Sequence, residues 1–234
     1  MNIALIIAGG SGQRMAQDIP KQFIHINNKP IIIYTLEAFQ KHPQIDAIEV
    51  VCIEGWHEIL KAYAKQFKIT KLKWVISGGK TGQESIRNGV FNLQEHCSDE
   101  DNIIIHDGIR PMVDENVLSD VLVKCDLYGN AVTSLPYNEQ IFFKETEATT
   151  KQYIPRETLR RVQTPQAYKY KKLLWGYKEA FEKNIGISNS SYTNTMMIDL
   201  GETLYFAAGS EKNIKLTTKD DLDIFKALLK AENN

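Results

Sequence analysis

Short, unbroken apolar runs alternate with longer amphipathic ones along most of this chain. Ile3–Ala8 is apolar throughout and stops at Gly9-Gly10, the pattern of a strand buried on both faces. Pro30 followed by IIIYTLEAFQKH predicts a helix with proline at its start. Ala47–Ile53 is a second strand, and Trp56–Phe67 carries Ile59, Leu60, Tyr63, Ala64 and Phe67 at helical spacing. Lys73–Ile76 predicts a third strand, Gln83–Gln94 a helix, Asn102–His106 a fourth strand, Glu115–Leu127 a helix and GNAVTSLP a fifth strand. Such alternation predicts an α/β fold with a mostly parallel open sheet and helices on both faces.

From about Asn138 to Gln163 the period changes. EQIFFKE and KQYIP alternate like a two-stranded antiparallel ribbon, a projecting arm at about 137–163. RVQTPQAY then reads as an edge segment, Leu173–Phe181 as a helix, and TLYFAA and NIKLT as final strands. Lys219–Ala231 closes the chain as a helix capped by Thr217 or Thr218. The expectation is one domain, 1–234, with an arm and no linker.

Composition narrows the classes. The 234 residues suffice to bury a large core, and 43% hydrophobic with 24% charged residues is ordinary for a globular chain. A formal net charge of −1 gives no electrostatic case for nucleic acid or an anionic membrane as partner. No apolar run approaches the roughly 20 residues of a membrane helix, and the first run has no basic segment before it, unlike a signal peptide. Cys52, Cys97 and Cys125 are odd in number and lack metal-site spacing. They read as reduced thiols of a cytoplasmic protein.

Four segments follow strands directly: AGGSGQRM…PKQ, SGGKTGQES, HDGIRP and, after NIKLT begins, Lys215. Ligands of open α/β sheets bind beyond the carboxyl ends of the strands. Glycines let backbone N–H groups approach an anion, and Arg14 and Lys21 add charge suited to a polyphosphate. The loop matches neither G-x-G-x-x-G nor a Walker sequence, and alone it reads equally as a glycine turn. Asp107, at the end of an apolar strand, needs a partner: Mg²⁺, or an ion pair with Arg110. His106 reads as a packed strand-end histidine, because phosphoryl transfer needs no strong base. Gly78-Gly79 with Ser85 is either a base pocket or a turn and helix start. Thr164 and Gln166 either hold a loop or touch a ligand.

Taken in order, AGG-S-G-x-R-M…PKQF, GG…S-I-x-N-G, HD-x-x-RP, R…QTPQ and NIK-x-T…DL resemble the CTP-dependent polyol-phosphate cytidylyltransferases, the methylerythritol-phosphate and ribitol-phosphate enzymes, from about residue 2 to 226. The resemblance implies a nucleotidyltransferase domain that dimerises through its arm. It implies that Ala8, Gly9, Gly10, Ser11 and Gly12 hold the CTP phosphates, that Arg14, Lys21 and Lys215 serve the α-phosphate, and that Gly79 and Ser85 meet cytosine. Asp107 would hold Mg²⁺ or orient the acceptor, with Arg110 beside it on the CTP. Arg156, Gln140 and Thr164 would contact the acceptor, Arg156 in the partner subunit's site. Gln140 stands where the methylerythritol enzymes carry threonine, Lys80 where they often carry an acid, and Thr193-Asn194-Thr195-Met196 replaces a T-D pattern. NKPIIIYTLEAF, Trp56 and Ile109 lean to the ribitol side, whereas SIRNGV leans to the other. The expected reaction joins CTP to ribitol 5-phosphate or a similar polyol phosphate for cell-surface polymer synthesis. Methylerythritol phosphate, a sugar 1-phosphate with another nucleotide, and an inactive scaffold are the alternatives.

Overall fold

The structure is a computed structural model that describes residues 1–10, 19–188 and 192–232. Five strands form its parallel framework: β1 (Asn2–Ala8), β4 (Ala47–Cys52), β5 (Leu72–Ser77), β6 (Asn102–Asp107) and β7 (Asn130–Pro136). A small hairpin of β2 (His25–Ile26) and β3 (Lys29–Pro30) precedes helix α1 (Ile31–Lys41). Helices α2 (His57–Gln66), α3 (Gly82–Asn92) and α4 (Glu115–Tyr128) connect the strands. The arm is β8 (Ile141–Phe143) paired antiparallel with β9 (Gln152–Ile154). Then come β10 (Arg160–Lys169), α5 (Tyr170–Lys183), α6 (Thr193–Asp199), β11 (Phe206–Ala208) and α7 (Lys219–Glu232).

The main sheet runs β11-β7-β10-β6-β1-β4-β5. β1 is central, parallel to both β4 and β6, with Ile6 opposite Val50 and His106. Its residues alternate between two cores. Ala4, Ile6 and Ala8 pack with Leu36, Phe39, Leu60 and Val121 under α1, α2 and α4. Ile3 and Leu5 pack with Val90, Leu173, Tyr177 and Met197 under α3, α5 and α6. Each fully buried Ile, Leu, Val, Phe or Met side chain among them contributes about 1.5–3 kcal/mol. Helices on both faces and a mostly parallel sheet match the expected fold class. α7 closes a third cluster in which Phe225 covers Ile31, Ile109 and Leu216.

Helix starts follow their capping residues. Thr81 Oγ1 accepts the Glu84 N–H at 3.1 Å and Asp114 Oδ1 accepts that of Val117 at 2.9 Å. At α7, Thr218 Oγ1 accepts the Asp221 N–H while Asp221 Oδ2 accepts the N–H groups of Thr217 and Thr218, a reciprocal cap.

Two local expectations fail. RVQTPQAY is no edge: β10 is antiparallel to β6 on one side and to β7 on the other. Its polar residues disguised it, yet Gln163, Thr164 and Gln166 are buried, with partners inside the fold. NIKLT forms no strand. Its apolar residues alternate because Leu216 packs beneath α7, and the Leu216 N–H reaches only the Ile109 carbonyl. α6 is an element the sequence reading missed, since it is short and begins with three polar residues.

Candidate active site

The carboxyl ends of β1, β5 and β6 meet at one edge, where the chain changes direction across the sheet. A cleft of about 460 Å³ opens there. Of the residues picked from sequence, Ala8, Gly9, Gly10, Lys21, Gly79, Ser85, Asp107, Thr164 and Lys215 all line it. Arg14, Ser11 and Gly12 lie outside the described residues.

Close packing of backbone shapes the nucleotide end. A Cβ on Gly78 would sit 3.1 Å from Ser85 Oγ and 3.4 Å from Gly9 Cα, so the ends of β1 and β5 approach as only glycines allow. Ser85 Oγ accepts the Gly79 N–H at 3.0 Å and donates to Thr81 O at 2.8 Å. Both groups assigned to cytosine are thus already engaged with each other, and they set the wall's shape. Gln22, missed in the sequence, is 1% exposed and donates to Ala8 O at 2.7 Å and Gly10 O at 3.1 Å. It fastens the glycine loop to the short 3₁₀ turn Lys21–Phe23 that carries Lys21.

At the far end, Asp107 sits between two cations. Arg110 Nε donates to its Oδ2 at 3.0 Å and Lys215 Nζ to its Oδ1 at 3.1 Å. Burial opposes ionisation of this carboxyl, but the Lys215 and Arg110 charges outweigh it and hold Asp107 below the usual carboxylate range. Arg110 is absent from the lining. Its Nη1 donates to Asn213 O at 2.8 Å, so it works from behind, tying Asp107 to the segment that bears Lys215. Thr164 Oγ1 accepts the Asp107 N–H at 3.1 Å, and Asn213 Nδ2 donates to Thr164 O at 2.7 Å. The carboxylate, the lysine and the threonine are therefore one braced unit.

His106 is completely buried. Its Nε2 faces Arg110 O at 3.0 Å, which requires a proton on that nitrogen, and burial pushes its pKa down to about 4. The ring is neutral and turned away from the cleft, and the residue is packed at the strand end as its position in the sequence predicts.

Arg156 and Gln140 are not brought to the cleft within one chain. Arg156 Nη1 donates to Asn138 O at 3.2 Å in a separate depression at the base of the arm. Beyond it, Phe142, Phe143 and Tyr153 are 57%, 55% and 63% exposed. Tyr192 and Thr193 also line the cleft, Thr193 from the segment that departs from the family's T-D pattern and Tyr192 from a position the sequence reading did not pick. Lys215 Nζ lies 5.4 Å from the Tyr192 ring centre.

The donor set fits Mg²⁺ only in one manner. Among the described residues no three metal-ligating side chains cluster, and Asp107 is the one acidic residue in the lining. A single carboxylate completed by substrate phosphate oxygens suits Mg²⁺ and not a protein-only cage.

A doubly wound sheet with a glycine loop, a braced carboxylate and several lysines converging at its carboxyl edge defines an α/β nucleotidyltransferase. The family model for 2-C-methyl-D-erythritol 4-phosphate cytidylyltransferase (IspD) matches residues 2–231. The chain belongs to that family, and its activity is that of a nucleotidyltransferase. It is 63% identical over 230 residues to a ribitol-5-phosphate cytidylyltransferase of Lacticaseibacillus paracasei, covering 98% of each chain. It is 35% identical to a 2-C-methyl-D-erythritol 4-phosphate cytidylyltransferase of Clostridium tetani, covering 100% of this chain and 92% of that one. The solved 4-diphosphocytidyl-2C-methyl-D-erythritol synthase of Anaerococcus prevotii shares the fold at a TM-score of 0.82 and 20% identity, over 98% of this chain and 96% of that one.

Proposed function

We propose that the chain transfers the cytidylyl group of CTP to ribitol 5-phosphate, giving CDP-ribitol and pyrophosphate. The observation that carries this is the 63% identity along nearly the whole of both chains to a ribitol-5-phosphate cytidylyltransferase. A cell-surface polymer is the fitting destination for such a product.

An oxygen of the acceptor phosphate attacks the α-phosphorus, and the bond from that phosphorus to the β-bridging oxygen breaks. Pyrophosphate leaves with the bonding pair, so no base is required, in keeping with a neutral, inward-facing His106. Two anions must meet, and the chain's task is to hold them in line and neutralise charge. Lys21 and Lys215 line the cleft, and we assign both to the reacting phosphates together with Arg14. Ala8, Gly9 and Gly10 line the cleft, and we assign the CTP phosphates to them together with Ser11 and Gly12. Asp107 holds Lys215 in place, and Mg²⁺ on Asp107 and the phosphates would supply further charge. Thr164 contacts the acceptor. Gln140 and Arg156 belong to an acceptor site completed across a dimer, supported by the exposed aromatic arm and by their separation from the cleft within one chain. Three free cysteines, their thiols pushed up to about 12 by burial, suit the reducing cytoplasm.

Pyrophosphate release with CTP and Mg²⁺ is to be measured against ribitol 5-phosphate, methylerythritol 4-phosphate, arabinitol phosphate and glycerol phosphate. Ribitol 5-phosphate is expected to give the highest kcat/KM. Higher turnover with methylerythritol 4-phosphate, or silence with all four, rejects the assignment. UTP, ATP or GTP outperforming CTP rejects the nucleotide.

A further inference from the structure

A chain of buried polar groups, outside the residues assigned above, runs from the interior to the cleft. Gln83 is 1% exposed, Tyr177 0% and Thr193 1%. Gln83 Nε2 donates to Gly186 O at 3.1 Å and Tyr192 O at 3.2 Å. Facing two carbonyls, that atom must be the amide nitrogen, and the side-chain oxygen must point to Tyr177. The Tyr177 hydroxyl meets Gln83 Oε1 at 3.1 Å and Thr193 Oγ1 at 2.7 Å. Because Gln83 Oε1 accepts only, Tyr177 donates to it. Tyr177 then accepts from Thr193, whose single proton is committed inward. Burial raises the Tyr177 pKa, so its proton stays in place.

We propose that Tyr177 and Gln83 are positioning residues for the acceptor half of the site. They fix the wall carrying Tyr192 and Thr193 and turn the Thr193 hydroxyl so that it offers the cleft lone pairs only. Thr193 lines the cleft, and neighbouring Tyr192 approaches Lys215, itself bound to Asp107. An acceptor-only hydroxyl repels phosphate oxygens, which also only accept, and takes a hydrogen bond from an alcohol. Its match is a hydroxyl of the polyol. The inference rests on the polyol-phosphate reading for its ligand but on the hydrogen-bond directions for its geometry.

Tyr177→Phe removes one oxygen and keeps the ring. It is expected to raise the ribitol 5-phosphate KM about tenfold, leave the CTP KM within twofold and leave the circular dichroism unchanged. Thr193→Val should do the same alone, and should add less than threefold on top of Tyr177→Phe, because the same directed bond is already lost. An unchanged acceptor KM, equal shifts for CTP and acceptor, or fully multiplicative losses overturn the proposal. Should Tyr177→Phe fail to fold, Gln83→Met carries the same KM split. If the unsubstituted chain ignores ribitol 5-phosphate, that rejects the substrate and not the clamp. Amide hydrogen exchange in residues 193–197 of the free protein then decides, at least tenfold faster in Tyr177→Phe if the clamp holds this wall, unchanged if it does not.

Discussion

Glu49 lies in the middle of β4 with no exposed surface, and neither of its oxygens nor Nδ2 of neighbouring Asn92 makes a hydrogen bond. It points into the core between Ala47 and Val51, opposite Leu5 and Trp74 in the flanking strands. An ionised carboxylate there would sit in an apolar medium, and burial, only partly opposed by the nearby Asn92 amide, pushes its pKa from 4.5 to about 8. The raised value sets the sign. The folded chain binds a proton that the unfolded chain releases, so this group's contribution is fully present below pH 4.5 and is lost as pH rises through 8. At 1.36 kcal/mol per unit, the loss between pH 5 and pH 8 is roughly 3 to 4 kcal/mol, a large share of the stability of an ordinary domain. Glu49→Gln keeps the size and removes the titration. Urea unfolding of both proteins at pH 5 and pH 8 isolates the term, since every other titrating group cancels in the difference. The variant should gain those roughly 3 to 4 kcal/mol over the native chain on going to pH 8. A relative change below about 1 kcal/mol would show that Glu49 is hydrated or paired in solution and refute the reasoning.

Other consequences concern the site. Lys215→Met keeps the stem and removes the charge, and should cut the rate of pyrophosphate release at saturating CTP by about 100-fold, as loss of one preorganised charge does. Gln22→Met removes the side-chain bonds to Ala8 O and Gly10 O, leaving Ala8 O with the Ile53 N–H alone and Gly10 O without its side-chain donor. It should cost about 2 kcal/mol in urea unfolding and raise the CTP KM. In acid, His106 acts with the sign of a depressed group: its contribution is present above pH 6.5 and is lost as pH falls through about 4. That loss is about 3 kcal/mol, absent from the same titration of His106→Gln. If the arm completes the partner's site, mixing inactive Arg156→Ala with inactive Lys215→Met protein should restore activity toward one quarter on subunit exchange, and absence of rescue would place Arg156 outside the shared site.

The strand-end chemistry was legible because a parallel sheet forces it. Apolar runs such as Ile3–Ala8 and Ile103–Ile105 have no polar face, so they lie inside, and whatever follows them emerges at the same edge. Asp107 and the first glycine loop could be placed together on that ground alone. β10 was not legible in the same way. Its Gln163, Thr164 and Gln166 look like surface, and only partners from distant segments make them interior. Gln22 was overlooked for the same reason, as its two acceptors are backbone carbonyls that no side-chain pattern reveals.

By itself the sequence determined the α/β order, the arm, the family likeness and the inventory of cations. Those depend on periodicity and residue type, which are local. The tertiary structure decided which groups are free to meet a ligand. Arg110 is spent behind Asp107, the Ser85 proton on the Thr81 carbonyl, and the Thr193 proton on Tyr177. A hydrogen-bond donor serves one acceptor well at a time, and that acceptor lies 3 residues away for Arg110 but 16 for Thr193.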